Sequence, residues 1–171
     1  MVSGGARLDP DLSGFFIALG LPVIQGYGQT EAGPVISVNL PWDNRRDTVG
    51  RPLPGVDCRI AENGEVQVKC PTIMMGYYKL PELTAETFTD DGYLKTGDMG
   101  VIDGMGRLKI TGRIKELFKT SKGKYVAPVP IENRLMGHAL IEAVCVTGPS
   151  LSQPIGFVML PLEEHQAVEE I

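Results

Sequence analysis

A mixed α/β fold with α+β character is what this sequence predicts, on three observations. Helical spacing followed by a short apolar run describes a helix–strand step between Asp9 and Ile24. From Val49 to Gly112, short alternating runs are punctuated by turn signals, as in a small β-barrel or sandwich-like subdomain. After Arg113, polar loops, a proline-led helix and two further apolar runs describe the start of a small α+β domain. These changes of character divide the 171 residues into three stretches, 1–48, 49–114 and 115–171. The length suits one domain or one and a half.

Each element has a local reason. Asp9 is a capping carboxylate and Pro10 suits the first helical position. Leu12, Phe15, Phe16 and Leu19 then fall on one face, predicting a core-facing helix that Gly20 stops. Leu21 to Ile24 reads as a strand and Val35 to Val38 as a second. Val56–Ile60 and Glu65–Lys69 alternate as half-buried strands do, and Asn63-Gly64 between them is a strong hairpin signal. Pro81 to Phe88 reads as a short helix, and Tyr93 to Thr96 as a strand after the Asp90-Asp91-Gly92 turn. Val101-Ile102 and Leu108–Ile110 flank Asp103-Gly104-Met105-Gly106, a second hairpin. Pro128 opens a helix to about Met136; Ala143–Thr147 and Gly156–Leu160 read as strands, and Glu163–Ile171 as an acidic helix.

Composition narrows the function classes. Sixteen Lys and Arg against 21 Asp and Glu leave a net charge of −5, so no basic excess exists to neutralise nucleic-acid phosphates. No apolar run reaches membrane-spanning length, and the start does not read as a signal peptide. Cys58, Cys70 and Cys145 lack metal-ligand spacing and read as reduced thiols, which predicts a cytoplasmic setting. Two histidines, His138 and His165, offer little to a histidine-based mechanism.

The stretch with most chemistry is Gly26-Tyr27-Gly28-Gln29-Thr30-Glu31. Its glycines permit a sharp turn or close approach of a ligand. Ring, hydroxyl and carboxylate suit base stacking, phosphate contact and a divalent metal. The same residues also describe a polar turn after a buried strand. Around it stand Ser3-Gly4-Gly5-Ala6 upstream, and downstream Tyr93–Asp98, Thr111–Lys115 and Ser121–Lys124. This ordered set resembles the adenylate-forming (AMP-binding) superfamily and, within it, the long-chain fatty acyl-CoA synthetases. The resemblance runs from Ser3 to about Pro161.

What the resemblance implies is an ATP-dependent ligase. A fatty-acid carboxylate attacks the α-phosphate of ATP, and coenzyme A then displaces AMP. Gly4, Gly5 and Ala6 would line the adenine pocket, Tyr27 would lie against the ring, and Gly28 would sit near the acyl carboxylate. Thr30 would bond the α-phosphate and Glu31 would hold Mg²⁺. Asp98 would accept the ribose hydroxyls, Arg113 would sit near ribose and phosphate, and Lys115 matches the hinge. Ser121, Lys122 and Gly123 would form a loop over the coenzyme A channel. Fatty acid, ATP and coenzyme A are the implied partners, with the rest of the large domain and a peripheral membrane contact in the full-length enzyme.

Departures from the family pattern are also legible. Ser121-Lys122-Gly123 stands where many relatives carry two glycines. No Ser/Thr/Gly-rich phosphate loop and no match to the near-C-terminal catalytic lysine is found. The expectation is therefore a part of such an enzyme, the end of the large domain and the opening of the small one, inactive by itself. Other adenylating relatives (a fatty acyl-AMP ligase, a luciferase-like or amino-acid-activating domain) and a non-catalytic nucleotide-binding fragment stay open as alternatives. Singly, Tyr27 also reads as a core tyrosine, Glu31 and Asp98 as turn caps, and Lys115 as part of a solvated face.

Overall fold

The computed structural model describes residues 1–5 and 8–161. The expected helix over Glu163–Ile171, His165 and the adenine-side Ala6 lie outside the described residues. Two compact units are present, Met1–Ile110 and Thr111–Ile171.

The first unit is built on two sheets. Strand β1 (Val2–Ser3) is followed by helix α1 (Pro10–Ala18), β2 (Ile24–Tyr27), β3 (Ser37–Val38) and β4 (Arg51–Pro52). They form a sheet in the order β1-β2-β3-β4, with β1 parallel to β2 and the remaining pairs antiparallel. Strands β5 (Asp57–Ile60) and β6 (Glu65–Lys69), helix α2 (Pro81–Thr87), β7 (Leu94–Ile102) and β8 (Leu108–Arg113) follow. The second sheet runs β5-β6-β7-β8, open at β5 and β8 rather than closed into a barrel. Ile36, Val49, Val66, Val68, Leu94 and Leu108 are buried together and Tyr27 of β2 packs against them, so both sheets border one core. Each such side chain is worth about 1.5–3 kcal/mol when fully buried.

The two sheets meet at Val49-Gly50. Val49 N–H donates to the Leu108 carbonyl and Leu108 N–H to the Gly50 carbonyl, both at 2.8 Å. Buried polar side chains close the seam: Ser37 Oγ donates to the Val49 carbonyl at 3.0 Å, and Asn39 Nδ2 to that of Thr48 at 2.7 Å. Arg107, its side chain 11% exposed, adds ion pairs to Asp103 at 2.9 Å and Asp43 at 3.1 Å.

Local signals did their expected work at several points. Asp9 Oδ1 accepts from Asp11 N and Leu12 N and so caps α1. Asn63-Gly64 turns β5 into β6, with Gly64 at φ +84° and Asn63 Oδ1 accepting from Glu65 N. Three expectations change. The strand after Leu21 begins at Ile24, so Gly26 and Tyr27 belong to it. Tyr93–Thr96 and Val101-Ile102 are not separate strands; β7 runs through Leu94–Ile102. The face of α1 carrying Leu12, Phe15 and Leu19 is exposed, and the buried residue is Ser13. Arg46 lies across Gly14, its Nη1 bonded to the Pro10 carbonyl, so on that side the helix is covered by a side chain from outside it, which no spacing within the helix announces.

The second unit begins within β8. A 3₁₀ turn (Ile114–Glu116) leads to β9 (Phe118–Lys119), β10 (Tyr125–Val126), helix α3 (Pro128–Met136), β11 (Ala143–Thr147) and β12 (Ile155–Met159). β9 pairs with β10 and β11 with β12, both antiparallel. Glu132 Oε1 accepts from Val146 N at 2.8 Å and fastens α3 to β11. No helix among the described residues is long and apolar enough to cross a membrane.

A pH-dependent contribution sits in the β7–β8 turn. Asp103 accepts from the backbone N–H of Arg107 and from its Nε, both at 2.9 Å, and from Met105 N at 2.8 Å. These bonds, the Arg107 backbone N–H first, hold its carboxyl down to about 2. A depressed carboxylate stabilises above its ordinary pKa and loses that contribution as pH falls through the folded value. Asp103→Ala is expected to lower Tm at neutral pH. The gap to wild type should stay constant down to about pH 4 and shrink towards pH 2; a pH-independent gap in thermal melts would contradict this.

Candidate functional site

The Gly26–Glu31 motif leaves the end of β2. Because β1 runs parallel to β2, with Ser3 opposite Gln25, Gly4-Gly5 emerges at the same sheet end. Loops beyond the carboxyl ends of parallel strands are common ligand sites. Gly5 has φ +84°, and the Cβ direction of Gly4 points 3.8 Å from the Gly26 carbonyl oxygen. Gly28 is required by packing: a Cβ there would overlap the Pro34 carbonyl and lie 2.8 Å from Val35 Cα. Thr30–Ala32 forms a single 3₁₀ turn closed by Gly33 at φ +75°. Thr30 is exposed, Glu31 half-buried and Ala32 fully buried.

Asp98 arrives from the other sheet. Opposite Glu65 and Gln67 of β6, β7 advances from Met99 to Lys95, so the pairing slips at Thr96-Gly97-Asp98. Gly97 has φ +74° and its N–H donates to Glu65 Oε1 at 3.0 Å in place of a ladder bond. Such irregularities re-aim side chains. Here the result is that Tyr27 Oη donates to Asp98 Oδ2 at 2.7 Å, joining residues 71 apart. Asp98 is 7% exposed and lies in a strand, not at a turn. Burial first, and then the Asp98 carboxylate, raise the Tyr27 phenol far above its ordinary value despite the opposing Thr96 hydroxyl. The phenol therefore stays protonated and donates.

The loop at residues 70–77 forms a further wall. Thr72 Oγ1 donates to the Ala32 carbonyl at 3.0 Å, Met74 N–H to that of Glu31 at 2.9 Å, and Tyr77 Oη to Glu31 Oε1 at 2.9 Å. None of these three residues was singled out from sequence. Their partners lie 40 or more residues away for Thr72 and Tyr77, and no local spacing signals that.

The structure thus brings Gly4, Gly5, Tyr27, Gly28, Thr30, Glu31 and Asp98 into one unit. Arg113, Lys115, Ser121, Lys122 and Gly123 belong to the other. Arg113 ends β8 and Lys115 lies in the 3₁₀ turn, both exposed. Ser121–Gly123 forms the β9–β10 turn, with Gly123 at φ +80° and Ser121 N–H bonded to the Leu151 carbonyl at 2.9 Å. The three cysteines are free thiols. Cys58 is pushed up to about 11, by burial and then by Asp57. Among the described residues no three His, Cys, Asp or Glu side chains converge as a metal cage.

Residues 1–78 match the family model described as AMP-binding enzyme. The chain is 42% identical over 147 residues to a long-chain-fatty-acid–CoA ligase, FadD15, of Mycobacterium bovis, covering 86% of this chain and 24% of the relative. The chain belongs to the AMP-binding, adenylate-forming enzymes. Human long-chain-fatty-acid–CoA ligase 6 is 35% identical over 173 residues, 94% of this chain and 25% of the relative. Among solved structures, O-succinylbenzoate coenzyme A synthetase from Bacillus subtilis in complex with AMP superposes with a TM-score of 0.84 at 26% identity. That match covers 94% of this chain and 36% of the other. The chain spans about a quarter of the length of the curated relatives it matches. The mixed α/β architecture expected from sequence is the one these AMP-binding enzymes share.

Proposed function

We propose that this chain supplies the adenosine- and metal-side wall of an ATP-dependent long-chain fatty acid–CoA ligase. The observation that carries the reading is the Tyr27–Asp98 bond, which places a flat ring and a buried carboxylate side by side, in one unit with Gly4-Gly5 and Glu31. A ring and a two-oxygen acceptor held together match a nucleoside: the ring takes the base and the carboxylate takes the ribose diol. Both curated relatives compared above are named as long-chain fatty acid–CoA ligases, which supports that substrate class.

In this reading Tyr27 lies against adenine beside the open backbone of Gly4-Gly5. Asp98 accepts from the ribose hydroxyls, and Thr30 donates to the α-phosphate. A fatty-acid carboxylate oxygen attacks the α-phosphorus, the bond to the bridging oxygen breaks, and pyrophosphate leaves. The thiol sulfur of coenzyme A then attacks the acyl carbonyl, and AMP leaves with the electron pair. Glu31 fits Mg²⁺ as a single carboxylate, since Mg²⁺ is commonly held by one or two carboxylates plus substrate phosphates. The ion would neutralise charge on the phosphates. Arg113 contributes a permanent cation near ribose and phosphate, Lys115 acts at a hinge, and Ser121–Gly123 borders the coenzyme A path. The cytoplasm is the proposed setting.

The test is made in the full-length enzyme, by measuring AMP and acyl-CoA formed from ATP, a fatty acid and coenzyme A. A Thr30→Ala, Glu31→Ala double variant should lose at least about 100-fold in turnover, the scale of one lost electrostatic contact in such sites. Acyl transfer without ATP consumption, or wild-type turnover in the double variant, overturns the reading. Accumulation of acyl-AMP with no thioester overturns the coenzyme A step.

A further inference from the structure

Glu31 is gripped twice by the loop at residues 70–77, and the two grips differ in kind. Met74 and Thr72 bond backbone carbonyls, of Glu31 and Ala32, at 2.9 and 3.0 Å. Those contacts already fix the turn. Tyr77 bonds the Glu31 carboxylate itself, at Oε1 and 2.9 Å. Tyr77 is in turn held from behind. Its N–H donates to Thr84 Oγ1 at 2.9 Å, and that hydroxyl donates to the Leu80 carbonyl at 2.8 Å at the start of α2. Gly76 makes this close fit available: at φ +148°, its Cβ direction is filled by Thr84 Cγ2 at 2.7 Å. A continuous path of short contacts therefore runs from α2 through Thr84 and Tyr77 to the carboxylate.

We propose that Tyr77 is a positioning residue for Glu31, engaging Oε1 so that Oε2 is presented to the nucleotide phosphates and their Mg²⁺. This rests on the reading of Glu31 given above. The phenol is suited to the task. Its hydroxyl lies 2.9 Å from Oε1, and a tyrosine, un-ionised at neutral pH, donates there. A glutamate otherwise samples several rotamers, and ordering it at the moment of binding weakens the interaction. Partners that orient a metal ligand typically change affinity by about 10–100-fold when removed.

The experiment uses the full-length enzyme with α,β-methylene ATP as the probe. Mn²⁺ binding is followed by electron paramagnetic resonance in wild type, Tyr77→Phe, Glu31→Ala and the double variant. Nucleotide affinity without metal and Tm are measured in parallel. Tyr77→Phe is expected to weaken Mn²⁺ about tenfold while metal-free nucleotide affinity stays at the wild-type value. Glu31→Ala should weaken Mn²⁺ at least as much, and the double variant no further. If Glu31→Ala weakens Mn²⁺ but Tyr77→Phe does not, the positioning role is wrong and the metal role of Glu31 stands. If Glu31→Ala leaves Mn²⁺ binding unchanged, the metal role falls and the positioning role with it. Additive losses in the double variant, or a lower Tm in Tyr77→Phe with wild-type Mn²⁺ affinity, assign the contact to the fold alone and overturn the proposal.

Discussion

Gly50→Ala is expected to unfold the first unit or leave it barely stable, whereas Gly55→Ala, at nearly the same backbone angle, is expected to be mild. Gly50 has φ +80° and Gly55 φ +84°. Both substitutions place an L side chain in the left-handed region, at about 1–2 kcal/mol. They differ in what the new Cβ meets. At Gly55 nothing lies within 4 Å; at Gly50 the Cβ would overlap the Val38 carbonyl and the Asn39 nitrogen, which are backbone atoms of the neighbouring strand. Backbone cannot rotate away as a side chain does. Relief needs movement of the seam, at the expense of the Leu108–Gly50 bond and the buried Ser37–Val49 bond. Overpacking alone costs about 1–3 kcal/mol. With the conformational term and two lost bonds at about 0.5–1.5 kcal/mol each, the total reaches about 3–8 kcal/mol, against about 5–15 kcal/mol for a whole domain. Urea denaturation of the two variants decides it: equal midpoints would mean that the close approach at Gly50 carries no energetic weight.

Asp98→Ala in the full-length enzyme should reduce ATP affinity by roughly 10- to 150-fold, the equivalent of one charge-assisted hydrogen bond of about 1.5–3 kcal/mol. Loss of two such ribose contacts would make the effect about 150-fold or more. The variant also strips Tyr27 of its acceptor, so part of any loss could come from a displaced ring. Tyr27→Phe separates the contributions, since it keeps the ring and removes only the hydroxyl. Its ATP affinity should fall far less than that of Asp98→Ala. Calorimetric titration with ATP measures both. Equal losses in the two variants would assign the effect to the Tyr27–Asp98 bond and remove the ribose role from Asp98.

How far the sequence disclosed this arrangement depends on the range of the interaction. The Asn63-Gly64 and Asp103–Gly106 hairpins, the Asp9 cap and the proline-led helices were legible because each is decided within a few residues. The continuity of β7 was not. Gly97-Asp98 reads locally as a break, yet the strand persists because Glu65, on the adjacent strand, bonds Gly97 N–H. The apolar face of α1 was legible as a face, but not its direction, which periodicity within the helix does not decide. Tyr27, Glu31 and Asp98 were singled out through the order of their motifs, and Tyr77 was not. Its bond to Glu31 spans 46 residues, and neither end shows a periodicity that would pair them.

Tyr27 stands on one sheet and Asp98 on the other, and the Val49-Gly50 seam is where those sheets are fused. In the reading proposed above, a nucleoside with its base against Tyr27 and its ribose on Asp98 would work as a staple across that junction. Its binding energy is not confined to the pocket: ligand at 100 times its dissociation constant adds about 2.7 kcal/mol to the stability of whatever must be intact to bind it. Here that is both sheets together. Backbone amides on β3 and β6, remote from each other in sequence, would slow their exchange with solvent by a common factor, and nucleotide and fold would melt as one cooperative object.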